Sequence, residues 1–267
     1  MTASPPSASV SERGPDTPSA RADRAKAAAA RRAAAMVEDG MRLGLGTGST
    51  AVHLVRRLGE RAREGLRFTA VATSEATERL AREVGISVST LDETGWLDLT
   101  IDGADEFDAG LDLIKGAGGA LLREKIVASC SDRMVVIADA TKEVETLGAF
   151  PLSVEVVPFG WRVTKTLLEE AMVGLGTARI EARPRIRGGR AFTTDGGNHV
   201  LDLHLGAIAH PRQTSLAINQ VPGVVENGLF VDLCDAVVIG RPDGGTDLRE
   251  RTGSPPRTAS DNAFLAM

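Results

Sequence analysis

Apolar and polar residues follow two rhythms along the first half of the chain. Short apolar runs, MRLGLG (41–46), FTAVAT (68–73), LDLTID (97–102) and RMVVIAD (133–139), are too brief for helices and predict strands. Between them, AVHLVRRLGERA (51–62), SEATERLAREVG (74–85) and ALLREKIVASC (120–130) place apolar residues three and four apart and predict helices. ISVST (86–90) is a further short strand candidate. The Ala- and Arg-rich stretch 20–40 predicts a leading helix stopped by Gly40. Strands alternating with helices imply βαβ units and a mostly parallel sheet.

The rhythm changes near Leu147. SVEVVP (153–158), ARIEAR (178–183), HVLDLHL (199–205) and GVVENGLF (223–230) predict strands, with helices over 161–172 and 210–221. That order, β-α-β-β-α-β, suits a small split-βαβ unit, and DGGN (195–198) marks a turn into its third strand. AVVIG (236–240) then predicts a strand returning to the first sheet. The expected fold class is α/β: a Rossmann-like, mostly parallel sheet domain over 22–147 and 228–250, with a smaller α+β, ferredoxin-like domain over 148–227. The Pro- and Ser-rich residues 1–21 and the stretch 251–267 are expected to be disordered tails.

Composition narrows the function classes. With no Tyr and few Trp and Phe, the core must be aliphatic. A net charge of −5 argues against nucleic-acid binding, which needs a basic surface. No apolar run approaches the roughly 20 residues of a membrane span. Two distant cysteines without CxxC spacing and four histidines without HxxxH predict no metal site, and a reducing, cytoplasmic setting. The N-terminal stretch lacks the apolar core of a secretory signal.

The candidate chemistry collects where strands end. In a parallel sheet the loops after the strands emerge at one edge, and ligands bind there. The loops at Thr47–Thr50, Ser74, Gly103–Glu106 and Ala140–Lys142 are therefore expected to face one cleft. GTGST before a helix reads as an anion cradle or as a plain tight turn. It lacks the lysine of a phosphate-binding nucleotide loop and the third glycine of a dinucleotide fingerprint, so a phosphorylated small molecule is the expected ligand. DGADE gathers Asp102, Asp105 and Glu106, useful for proton transfer or for holding a divalent cation. KGAGG sets Lys115 beside bare backbone amides fit for an oxyanion. Glu124 lies about a turn into the next helix, where a surface glutamate is the ordinary outcome. A helix N-terminus lowers its pKa and burial raises it; the pattern does not say which wins. Cradle, carboxylate base and oxyanion donors are together the parts for aldose–ketose isomerisation of a sugar phosphate, with no cofactor needed.

Seven segments in order, GLGTGST, TSEAT, DGADEF, KGAGGALLREKI, IADATK, FPLSVEVVP and VPGVVENGLF, closely resemble the ribose-5-phosphate isomerase A family, over about Lys26 to Gly244. The resemblance implies interconversion of ribose 5-phosphate and ribulose 5-phosphate without a cofactor, in a homodimer or homotetramer. It implies Glu124 as catalytic base, with Asp102, Asp105 and Lys115 assisting. It implies substrate contacts from Thr47, Gly48, Ser49 and Thr50, from Asp102, Gly103, Ala104 and Asp105, from Lys115, Gly116, Ala117 and Gly118, and from Lys142. Lys26 aligns with a phosphate-side lysine. Ala117 stands where the family often has glycine, and Phe107 where an aliphatic is usual. The rival readings are a non-catalytic sugar-phosphate sensor, for which no DNA-binding helix pair precedes the sheet, and a nucleotide-dependent oxidoreductase, against which the glycine spacing argues.

Overall fold

The computed structural model describes residues 17–176 and 180–252. Helix α1 (Pro18–Ala34) opens the described chain, followed by β1 (Arg42–Leu45), α2 (Ser49–Arg63), β2 (Thr69–Ala72), α3 (Glu75–Glu83) and the short α4 (Leu91–Thr94). Then come β3 (Leu99–Gly103), β4 (Glu106–Phe107), β5 (Leu113–Ile114), α5 (Leu121–Ser129) and β6 (Met134–Asp139). A second region holds β7 (Leu152–Val156), α6 (Trp161–Gly174), β8 (Ala182–Pro184), the small hairpin β9 (Ile186–Arg187) and β10 (Arg190–Ala191), β11 (His199–Leu203), α7 (Pro211–Asn219) and β12 (Val224–Asn227). The chain ends with β13 (Leu229–Phe230), β14 (Ala236–Gly240) and β15 (Thr246–Glu250).

The main sheet runs β15-β14-β6-β3-β1-β2, parallel throughout except for β15 at one edge. Counting only the parallel strands in chain order, this is the doubly wound order 2-1-3-4-5, whose direction reverses between β1 and β3. Both faces are covered. Val135, Ile137, Ala236 and Val238 join one core with α1, α2 and α3, while Met134, Val136, Ala138, Val237 and Ile239 point into another with Phe107 and Phe230. That two-sided burial is why β6 and β14 read as continuous apolar runs. The alanines of α1 let it lie close on the sheet: six are buried, and a Cβ at Gly240 would meet the Ala25 carbonyl oxygen.

The second sheet, β12-β7-β11-β8, is antiparallel and carries the 4-1-3-2 order of a split-βαβ unit. Its core joins Leu152, Val154, Leu201 and Leu203 to Leu168, Met172 and Ile218 of α6 and α7. A third sheet, β13-β5-β4, lies between the other two in sequence and in hydrogen bonding. Lys115 N donates to Gly228 O, and Gly228 N to Ser153 O, so the chain leaves the small sheet at Gly228 and enters the connecting one.

Several sequence expectations shift. The leading helix starts at Pro18, capped by the Thr17 hydroxyl, so part of the stretch assigned to a tail is helical; residues 1–16 and 253–267 lie outside the described residues. The same helix stops at Ala34 rather than Gly40, whose positive φ serves the turn into β1. ISVST makes one bridge, Ala70 to Val88, and no strand. The strand expected over 178–183 begins only at Ala182, and residues 177–179 lie outside the described residues. GVVENGLF divides into two strands that serve different sheets.

Candidate active site

The floor of the cleft follows from the pleat of β3. Leu99 and Ile101 face the core under α1 and α2, so Thr100 and Asp102 face the opposite side. Asp102 therefore lies fully buried at the strand's carboxyl end, beside the point where the strand order reverses. Gly46 admits it: a Cβ there would sit 1.9 Å from Asp102 Oδ1. That oxygen accepts from the amides of Thr47 (3.0 Å) and Gly103 (2.7 Å), tying the loops after β1 and β3 together. Asp102 Oδ2 has no aligned donor, alone among buried side-chain nitrogens and oxygens of the described residues; the Lys115 ammonium 3.0 Å away serves it by charge.

Lys115 follows β5, and the connecting sheet turns its side chain inward until it is only 3% exposed. Its ammonium donates to the Gly103 carbonyl at 2.5 Å and stands 3.3 Å from Glu124 Oε1. Burial alone would push the Lys115 pKa down; the charges of Asp102 and Glu124 outweigh it and hold the group above its ordinary value. Glu124 sits in the first turn of α5, 4% exposed. Burial, reinforced by the Asp102 charge and opposed by Lys115, pushes its pKa up to about 8. In the contest between helix dipole and desolvation, desolvation wins. Burial also raises the Asp102 carboxyl, against the pull of Lys115 and of the amides of Gly103 and Thr47.

The cleft itself encloses about 310 Å³. It is lined by Thr47, Gly48, Ser49 and Thr50 from the β1–α2 loop, Gly103, Ala104 and Asp105 from beyond β3, and Gly116, Ala117 and Gly118 before α5. Lys26, Glu124 and Lys142 complete it. These lining residues were all singled out in the sequence, and Asp102 and Lys115 lie buried beneath them, linked to Glu124 by the Lys115 ammonium. The α2 N-terminus opens on it: Gly48 takes φ +115° and no side chain caps the first turn, leaving a positive helix end toward the cleft. Lys26 of α1 reaches across to donate to Ser49 Oγ at 3.0 Å. Ala117 N donates to Asp105 Oδ2 at 2.9 Å. Ala117 takes no positive φ, so the methyl is accommodated; Gly116, at φ +122° and with Ser153 Cβ 2.6 Å from where a Cβ would lie, must be glycine.

Two features depart from the sequence reading. Glu106 does not join Asp102 and Asp105: its buried carboxylate accepts from the amides of Gly148 (2.7 Å) and Phe150 and braces that loop instead. Ser74 is a buried helix cap. With Thr73 and Thr77 it surrounds the Thr47 hydroxyl at 2.8–3.2 Å, so that side chain anchors its loop. The run of hydroxyl residues in ATSEAT was the available signal for that anchor. No grouping of three or more His, Cys, Asp or Glu side chains suited to a metal occurs among the described residues. No helix among them is long and apolar enough to cross a membrane.

Fold and cleft together define the class, an α/β enzyme equipped for proton transfer on a small anion. Comparison with known proteins gives the family. The family model for ribose 5-phosphate isomerase A (phosphoriboisomerase A) matches residues 69–244. The chain is 62% identical over 229 residues to ribose-5-phosphate isomerase A of Ruegeria sp. (strain TM1040), covering 85% of this chain and 87% of that one. Among solved structures, ribose 5-phosphate isomerase A from Methanocaldococcus jannaschii superposes with a TM-score of 0.77 at 39% identity, over 84% of this chain and 97% of that one. A D-ribose-5-phosphate isomerase in complex with phospho-erythronic acid gives 0.80 at 34% identity, over 86% of this chain and 99% of that one. The chain belongs to the ribose 5-phosphate isomerase A family.

Proposed function

We propose that the chain interconverts ribose 5-phosphate and ribulose 5-phosphate through an enediolate, with Glu124 as the base. The carrying observation is Glu124 itself: a buried carboxyl, pushed up to about 8, opening on the same cleft as an uncapped helix N-terminus. A base near the working pH is the efficient one. Glu124 takes the proton from C2 of the open aldose, and the C–H electron pair moves to make the C1–C2 double bond. The charge flows to the carbonyl oxygen, a proton moves from the C2 hydroxyl to that oxygen, and Glu124 returns its proton to C1, leaving the ketose.

The helix α2 amides, Ser49, Thr50 and Lys26 hold the phosphate. The amides of Gly116–Gly118 and the Lys115 ammonium face the charge that develops at the other end. Asp102 and Asp105 take the sugar hydroxyls and assist ring opening, and Lys142 contacts the substrate from the cleft rim. A phosphorylated acid such as that bound by the solved relative pairs a phosphate with a planar carboxylate, the charge pattern an enediolate shares; this supports the reading. Family resemblance likewise supports a cytoplasmic homodimer or homotetramer working in the non-oxidative pentose phosphate pathway. The test is incubation of EDTA-treated protein with ribose 5-phosphate, followed by assay of ketose. Turnover without additions is expected; none, from folded protein, would overturn the proposal.

A further inference from the structure

Arg185 lies outside the cleft, between β8 of the small sheet and β9 of the adjoining hairpin, 69 residues from the loop it touches. Its backbone is pinned at both groups: Arg185 N donates to Val200 O, and Arg185 O accepts from Phe192 N. All five of its guanidinium N–H groups are engaged. Nε donates to Asp202 Oδ2 at 3.0 Å, and Nη2 to Asp202 Oδ1 and to Ser153 Oγ at 2.7 Å. Nη1 donates to two carbonyls of the cleft loop, Gly116 O at 2.6 Å and Ala117 O at 3.2 Å. The side chain is 15% exposed and its carboxylate partner 20%.

In a planar trans peptide the carbonyl and the following N–H point in opposite directions. Drawing the Gly116 carbonyl back to Arg185 turns the Ala117 N–H forward, where it meets Asp105 Oδ2 on the cleft side. Drawing back the Ala117 carbonyl turns the Gly118 N–H the same way. A cation on the carbonyl side also polarises these peptides and strengthens their N–H groups as donors. We infer that Arg185 is a positioning residue for the reaction: from behind, it turns the Ala117 and Gly118 amides to the cleft side, where charge develops in the intermediate.

The inference rests on the isomerase reading above. Lysine cannot replace the arginine, because three donors on one nitrogen cannot reach two carbonyls, a hydroxyl and both oxygens of Asp202. The test compares the full-length parent with Arg185→Lys, Arg185→Ala and Asp202→Asn. It measures kcat and KM for ribose 5-phosphate, Kd for phospho-erythronic acid, Kd for inorganic phosphate, and melting temperature. Misplaced oxyanion donors are expected to lower kcat by about 10- to 100-fold in both Arg185 variants, with a smaller loss of the same kind in Asp202→Asn. Phospho-erythronic acid should weaken by a similar factor, because its planar anion uses the same amides. Inorganic phosphate, a probe of the other end of the cleft, should bind within about twofold of the parent, since oriented amides near residue 117 do not touch it. Millimolar ethylguanidinium should restore part of the Arg185→Ala turnover.

A clamp that merely joins the two sheets would lower melting temperature and active fraction while leaving the acid's affinity untouched in the folded molecules; that result overturns the inference. Parent-like kcat in folded Arg185→Lys overturns it too, and this variant decides the matter where Arg185→Ala fails to fold. Absent turnover in the parent would instead sink the isomerase reading, while the affinity comparison among parent and variants stands by itself.

Discussion

Of the three glutamates buried among the described residues, Glu155 and Glu124 are treated in opposite ways. Glu155, in the middle strand β7 of the small sheet, is 1% exposed, and its Oε1 accepts from the Thr194 hydroxyl (2.8 Å) and the Asn198 amide (2.9 Å). Glu124, on the cleft floor, is 4% exposed, and its charge partner is a single ammonium that it shares with Asp102. The small sheet meets its buried acid with neutral donors on short side chains. The floor instead crowds two acids round one lysine and leaves Glu124 with a pKa pushed up to about 8. The carboxyl kept for structure is met by neutral hydrogen-bond donors; the one kept for proton transfer is left under-served, with its pKa raised toward neutrality.

The comparison breaks most sharply at Glu124→Gln. Shape survives while the proton acceptor is lost, so kcat is expected to fall by at least about 10²–10⁴ with KM little changed. Steady-state kinetics with ribose 5-phosphate checks this, and near-parent turnover excludes Glu124 as the base.

Lys115→Met is expected to cost stability as well as rate. It leaves two buried carboxyls without their cation, and breaking a buried ion pair from one side costs about 3–5 kcal/mol. Urea titration of the parent and the variant measures the loss. A variant as stable as the parent would mean that the carboxyls are not charged in the folded state.

Acidity offers a third measurement. As the base, Glu124 must be ionised, so kcat/KM should climb with pH and level off above about 8. Stability should run the other way. A carboxyl whose folded pKa is raised contributes stability that is complete below its unfolded pKa and is lost as pH rises through about 8. Asp102, also raised, acts in the same direction. Melting temperatures at pH 5, 7 and 9 should therefore decline in the parent and decline less in Glu124→Gln; equal slopes would contradict the raised pKa.

Glu155→Gln is the matched control and the smallest effect. A glutamine oxygen can still accept from Thr194 and Asn198, so the expected cost is about 1 kcal/mol of stability with kcat within about twofold of the parent. A loss of turnover comparable to that of Glu124→Gln would erase the distinction between the two regions.

Much of this arrangement was legible along the chain. The apolar runs of β1, β2, β3, β6 and β14 and the helices between them carry their period locally, and a parallel sheet then forces the following loops to one edge. That is enough to bring Thr47, Asp102 and Lys142 to one cleft. The two-residue strands β4 and β5 were not legible, because two residues hold no period, and neither was the break that sends β13 from the predicted strand 223–230 to pair with β5, yet this sheet turns Lys115 inward. Nor was the orientation of Glu106, since one acid in a DGADE turn looks like another until a loop from residues 148–150 arrives to claim it.

Sequence alone, then, determined the strand order's consequences, the residue types available at each strand end and the family to which they belong. Tertiary packing decided how those groups behave. Whether Glu124 obeys its helix dipole or its burial, and which way the Gly116–Gly118 peptides face, depends on side chains such as Asp102 and Arg185 that are distant in the chain. Desolvation and peptide orientation are properties of what surrounds a group in space, and no local pattern of residues carries them.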